Sequence, residues 1–358
     1  MLSTSIEEAR RQSEICNACR YCEGYCSVFP AIHAQRAFSD GDITQFANLC
    51  HNCRGCYYAC QYTAPHEFDL NLPQALGNVR QQSWQAFAYP KVLANLFHRH
   101  AAATVLIFVV SIIAVFGLAQ LLRPQGGAGF YAFISHGVMV SVFAPAFVLP
   151  LFAVALAVRA QWADAGRTPL RLSDLIAAGR LAANMKNLSG GHGDGCNYED
   201  GDRFSQARRI AHQLTLWGFL LCFASTSAGT IMHYGFALEA PYSFFSAPKL
   251  LGVPGGIMLC AGTLWLTILK TKSDPSLGEQ GVRGPQFAFL WLLFAVSATG
   301  LALYAATGTA YVEPLLTVHL ASVLTLFLLL PYTKMAHGFH RFTALTIEAA
   351  RQRLSAAG

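Results

Sequence analysis

Eight of the eleven cysteines in this 358-residue chain fall in two short runs of identical spacing. Cys16, Cys19, Cys22 and Cys26 form one C-x2-C-x2-C-x3-C run, and Cys50, Cys53, Cys56 and Cys60 form the second. Zinc sites usually pair two ligands across a longer loop, so three thiolates within one tight loop would crowd one corner of a tetrahedral zinc. A cubane spreads its irons, and such a loop reaches three of them while the fourth ligand comes from elsewhere. In two-cluster ferredoxins the fourth Cys of each run binds the other cluster. The spacing therefore assigns Cys16, Cys19, Cys22 and Cys60 to one [4Fe-4S] cluster, and Cys50, Cys53, Cys56 and Cys26 to a second. One departure from that pattern is visible: Ser27 and Gln61 stand where proline can follow the fourth Cys, and Pro30 and Pro65 arrive a few residues later.

The elements holding these runs read as helices. "STSIEEARRQSEIC" places Ser and Thr ahead of Glu7 and Glu8, a capped helix start, and "DGDITQFANLC" reads as a helix between the runs. The expected N-terminal domain is thus an α-helical ferredoxin over residues 1–90. Of the remaining cysteines, Cys222 and Cys260 lie in apolar runs and read as core packing. Cys196 lies in a loop, where a reactive thiol is the alternative to a plain one.

Beyond residue 90 the composition changes. The whole chain is 54% hydrophobic and 12% charged, against about 25% charged in soluble domains. Uncharged runs at 101–122, 130–158, 213–238, 250–269, 285–312 and 314–333 each reach the roughly 18–20 residues that cross a bilayer. A helix satisfies its own backbone in lipid, so six transmembrane helices are expected over a membrane domain at 91–345, followed by a tail at 346–358. Segments 1–100, 159–212, 270–284 and 334–358 hold 8, 8, 3 and 4 of the 25 Lys and Arg, leaving Arg123 and Lys249 for the other side. Lys and Arg concentrate in cytoplasmic loops, so both termini are expected in the cytoplasm of a bacterial inner-membrane protein. No signal peptide is expected at the N-terminus. Thiols stay reduced in the cytoplasm, which argues against structural disulfides. The net charge of +6 then follows from topology, and no nucleic-acid partner is needed to explain it.

Histidines in membrane helices are costly and usually functional. His136, His233 and His319 lie near the outer ends of the second, third and sixth runs; His98, His100, His212, His337 and His340 lie near the inner face. On one continuous helix His319 and His337 would be roughly 27 Å apart and in phase, and His212 and His233 roughly 31 Å apart and about 60° out of phase. Antiparallel packing of the third and sixth helices then sets His212 beside His337 and His233 beside His319. Two such pairs describe a dihaem b cytochrome, with ordinary interfacial histidines as the plain alternative. His136 is a second candidate for the outer ligand, or lines a quinone pocket. His98 and His100 read as interfacial anchors. No C-x-x-C-H occurs, which excludes covalent c-type haem.

The cysteine runs, "PHEFDLNLPQALGNVRQQS", and the membrane segments "GFLLCFASTSAGTIMHYGF", "APYSFFSAPKLLGVPGG" and "VHLASVLTLFLLLPYTKMAHGFHRF" together resemble the tricarballylate or citrate utilisation protein B family (TcuB/CitB). The membrane half is similar to the gamma subunit of respiratory nitrate reductase. The resemblance implies a membrane electron carrier that reoxidises the FADH2 of a separate tricarballylate dehydrogenase, a TcuA-like flavoprotein, and delivers electrons to the quinone pool.

No G-x-G-x-x-G follows a strand, and "SGGHGDGCNYEDGD" does not fit that fingerprint. Without a flavin or substrate domain of its own, the chain needs a partner to load it. The expected order is partner flavin, clusters, inner haem, outer haem, quinone. The loop at 159–212, with its acidic knot of Asp194, Glu199, Asp200 and Asp202, is a solvated loop, a docking segment for the flavoprotein, or a segment that packs against the ferredoxin domain. Two rival functions are a redox partner for a flavin-dependent oxygenase and a membrane redox sensor.

Overall fold

The computed structural model describes residues 2–126, 129–190, 195–197, 204–238 and 240–356. The acidic knot lies outside the described residues, so the docking role expected of that loop has no structural counterpart here. The N-terminal part is helical: α1 (Leu2–Cys19), α2 (Val28–His33), α3 (Asp40–Leu49), α4 (Gly55–Tyr58), α5 (Leu72–Phe87) and α6 (Lys91–Arg99). Local sequence accounts for the starts. Ser39 and Asp42 close a capping box on α3, and Asn71 caps α5 with Pro73 in the first turn. Both devices satisfy amide groups that have no partner inside the helix.

The apolar part follows as α7 (Ala101–Leu121), α8 (His136–Asp164), α9 (Leu172–Asn184), α10 (Ala207–Phe236), α11 (Ala247–Lys272), α12 (Arg283–Ala305), α13 (Val312–Leu328) and α14 (Ala336–Ser355). A two-residue antiparallel ladder, β1 (Cys196–Asn197) with β2 (Phe204–Ser205), precedes α10. Five helices, α7, α8, α10, α11 and α12, are long and apolar enough to cross a membrane. The chain is a membrane protein of mostly helical build.

The sixth expected run differs. It is not one long helix but α13, of 17 residues, followed by a 3₁₀ turn at Leu330–Tyr332. Pro331 is the physical cause: it has no amide hydrogen to donate, and its ring clashes with the carbonyl one turn back. His319 and His337 consequently stand on different helices, and the in-phase count along one continuous helix does not apply to them.

Described residues of the segments at 1–100, 159–212, 270–284 and 334–358 meet one another. Gln45 on α3 donates to the Ala344 carbonyl on α14 at 2.7 Å. Asn52 donates to the Leu277 carbonyl at 3.0 Å, and Arg353 pairs with Asp174 at 3.0 Å. One apolar core joins them: Ile32, Ile43, Phe46, Leu76 and Val79 pack with Ala178 of α9 and Ala344 and Leu345 of α14.

Helix α10 packs chiefly along α11 through glycine. A Cβ at Gly218 would come within 2.6 Å of the Leu259 nitrogen, and one at Gly262 within 2.7 Å of the Thr215 nitrogen. Small residues let two backbones approach where lipid provides no hydrophobic drive. The flank of α10 that carries His212 and His233 is thereby held at a fixed angle.

Candidate metal centre and histidine cavity

The last turn of α1 carries Cys16 and Cys19, three residues apart and so on one helix face. The chain then turns through Arg20 in the left-handed region (φ 57°) to bring Cys22 and Cys26 back. The second run behaves similarly: Cys50 caps α3, Asn52 and Arg54 take left-handed conformations, and Cys56 lies in α4. Backbone amides already point at sulfur. Asn52 donates to Cys50 Sγ and Tyr62 to Cys60 Sγ, both at 3.4 Å.

Electrostatic neighbours group several of the thiols across the two runs, with Cys22 and Cys56 lying where the groups meet. Cys16 is pushed up to about 12 by burial, then by Cys22, Cys60 and Cys19. Burial followed by Cys53 and Cys50 raises Cys26 well above the usual thiol value. Burial, then Cys53, Cys50 and Cys26, do the same to Cys56. So Cys60 stands with Cys16, Cys19 and Cys22, and Cys26 stands with Cys50, Cys53 and Cys56.

A cavity of about 260 Å³ is lined by Cys16, Cys19, Cys22, Cys56 and Cys60. Among the described residues no group of three or more Cys, His, Asp or Glu converges as a site for a metal ion. Several thiols facing one cavity fit the corners of an iron–sulfur cluster at that site.

Cys196 is not in an open loop; it is buried in β1 among Cys53, Met185 and Leu188. Cys260 donates to Ser297 Oγ at 3.1 Å, and Cys222 lies on the α10–α11 seam beside Gly255.

The second set adjoins a larger cavity of about 960 Å³ between the N-terminal part and helices α10, α11, α12 and α14. His212 and His337 both line it, with ring centroids 5.8 Å apart. Two imidazoles on opposite faces of one iron, with bonds of roughly 2 Å, set their centroids roughly 6 Å apart. His337 engages the Lys334 carbonyl through Nδ1, which leaves Nε2 for a ligand. His212 Nδ1 is buried with no hydrogen-bond partner. Phe219, Leu216, Phe289 and Leu293 supply apolar walls, and Arg208, Lys270, Arg283 and Arg341 supply cations. An apolar plate with carboxylate arms matches these walls, so a haem fits this level.

The outer level is assembled differently from the expectation. His233 stacks on His136 at 4.0 Å, and His136 Nε2 lies 2.9 Å from Tyr234 Oη. Rings stacked this closely leave no room for an iron between them, so this pair does not fit a second haem. His319 instead faces α12, with Nδ1 3.1 Å from Thr299 Oγ1. His98 is buried in the protein, 6.4 Å from the Trp84 ring. His340 stacks on Trp84 at 5.7 Å, with Nδ1 held by Gln161.

Several residues not singled out in the sequence surround the inner cavity. Arg80 and Lys334 both pair with the buried Glu279. Burial alone would raise the Glu279 carboxyl, but Lys334 and Arg80 hold it well below the carboxylate range. Lys334 is lowered to about 7, chiefly by burial. Arg208 and Arg341 stand one helical turn from His212 and His337, a spacing visible in the sequence once those histidines are chosen.

The description "Citrate utilization protein B Fer4-like domain" matches residues 9–86, and "Citrate utilization protein B" matches residues 90–358. A protein of that second name from Escherichia coli is 39% identical over 99% of this chain and 94% of its own length. No solved structure matches. With a ferredoxin-like match over the cysteine runs and a family match over the membrane helices, the chain belongs to the citrate utilization protein B family.

Proposed function

We propose that this protein is a membrane electron carrier of citrate or tricarballylate utilization, which reoxidises the FADH2 of a partner dehydrogenase and passes electrons to quinone. The bacterial inner membrane, with both termini cytoplasmic, is the location that fits the Lys and Arg distribution. When bound, two [4Fe-4S] clusters and a haem b would supply the one-electron chemistry that splits a two-electron flavin oxidation into single steps. The chain's own residues set the order in space. Two sets of thiols hold the clusters at the cytoplasmic end, and His212 and His337 hold the haem where that end meets the membrane helices. The surrounding Arg and Lys side chains neutralise its carboxylates.

One observation carries the reading: His51 and Asn52, which follow Cys50, line the same cavity as the His212–His337 pair. The test is an anaerobic optical and EPR spectrum of the purified chain, with iron and haem counted. Cluster signals, a reduced b-type band, and quinone reduction driven by FADH2 are the expected result. A colourless, metal-free polypeptide would overturn the proposal. Substitution of His337 by Ala should abolish the b-type band while leaving the cluster signals in place.

A further inference from the structure

We infer that the two thiol sets have fixed and different places in the electron path. The Cys16, Cys19, Cys22 and Cys60 set takes electrons in. The Cys26, Cys50, Cys53 and Cys56 set delivers them, across a clamp made by Arg208 and Arg341. This rests on the reading that both sets hold clusters and that His212 and His337 hold a haem.

The clamp closes on one tripeptide, Cys50–His51–Asn52. The Cys50 carbonyl accepts from Arg341 at 3.0 Å and from Arg80 at 2.6 Å. The two guanidinium nitrogens of Arg208 donate to the carbonyls of His51, at 3.2 Å, and Asn52, at 2.5 Å. Arg208 precedes His212 by one turn of α10, and Arg341 follows His337 by one turn of α14. Each helix that presents an inner histidine therefore also grips the cluster loop, one turn away. His51 and Asn52 line the cavity that His212 and His337 share.

Among the described residues no comparable arginine pair joins the first set to the membrane helices. Its cavity is bordered by Cys19, which is exposed, and by Tyr21, which is 69% exposed. A donor in solution meets this set first. Electron transfer weakens steeply with distance, so the set at the surface receives and the set at the clamp hands on.

The charges favour the same direction. Three guanidiniums against the Cys50 loop stabilise added negative charge there, and cluster potentials respond to local charge and exposure. The Cys50 set should have the higher potential of the two, making the step between sets downhill. Per FADH2 oxidised, two electrons pass singly and two protons are released to water. Quinone takes up two electrons and two protons to become quinol.

The test uses the full-length protein in detergent, with photoreduced FAD as donor and dithionite as a general reductant. In Cys53→Ser, FADH2 should still reduce the remaining cluster while the haem stays oxidised. In Cys19→Ser, FADH2 should reduce neither the remaining cluster nor the haem, although dithionite reduces both. Haem reduction by FADH2 in Cys19→Ser would overturn the order. Should a cysteine variant fail to assemble, EPR-monitored redox titrations of Arg208→Gln and Arg341→Gln decide. Both should lower the midpoint of the Cys50 set alone, and Arg341→Lys should restore it. An unchanged midpoint, or a shift confined to the other set, would overturn the clamp's role. Absence of cluster or haem signals in the unmodified protein would instead remove the underlying function.

Discussion

Cys26 and Cys60 each end a run in sequence and face the opposite run in space. On the proposed reading, Cys60→Ser should therefore damage the cluster of Cys16, Cys19 and Cys22, and Cys26→Ser that of Cys50, Cys53 and Cys56. Iron analysis with EPR checks this: each variant should lose about four irons per chain and one of two cluster signals. Protonation gives a second expectation. Cys16 and Cys22 are pushed up to about 12 without metal, burial being the first cause in each. Ligation needs thiolates, so protons compete with iron for these sulfurs. Cluster yield on reconstitution should rise from about pH 7 to about pH 9, and a flat profile would count against buried thiol ligands. The spacing of the eight cysteines made the two runs legible in the sequence. The hold of Arg208 and Arg341 on the Cys50 loop was not legible, because it depends on where another part of the chain lies.

At the scale of the helix, sequence periodicity located the apolar runs but not their interruptions. The 314–333 run contains Pro331, and a proline weighed only as another uncharged residue hid the end of α13 at Leu328. That break lets α14 restart with its own phase and bring His337 to His212. The outer histidines show the converse limit. His136, His233 and His319 were visible as candidates, but which two meet depends on helix neighbours that no single run encodes. The glycines of α10 and α11 offer a direct test of those neighbours. Gly218→Leu forces a side chain into the Leu259 backbone and should cost about 1–3 kcal/mol. Gly229→Ala, whose nearest contact is the Tyr242 ring at 3.7 Å, should be tolerated. Thermal unfolding of the two variants in the same detergent separates them.

For the whole molecule, the junction between the cysteine domain and the membrane helices turns on one buried carboxylate. Glu279 meets Arg80 from α5 and Lys334 from the turn before α14. Removing its charge in Glu279→Gln leaves the Arg80 guanidinium buried without a counter-ion and takes from Lys334 the carboxylate that helps it keep its proton. Breaking one partner of a buried pair costs about 3–5 kcal/mol, so this variant should melt well below the parent and shed its N-terminal domain to protease first. Charge counting along the sequence indicated which segments share one end of the molecule. It carried no information on this junction, since a lone Glu among loop residues looks like any solvated side chain.

Helix α13 is roughly 25 Å long at the ordinary helical rise, while the hydrocarbon layer is roughly 30 Å thick. Arg123 and Glu313 pair at one of its ends, and Tyr332 is tethered to the Tyr89 carbonyl beyond the other. These polar fixtures resist being drawn into oil, so the surrounding lipid must yield. On the proposed membrane placement, the bilayer should be thinner along this flank than beside the longer α8 and α10. Thin membranes should therefore hold the protein more firmly than thick ones. Vesicles of short- and long-chain phosphatidylcholine, compared by thermal unfolding, would reveal that preference.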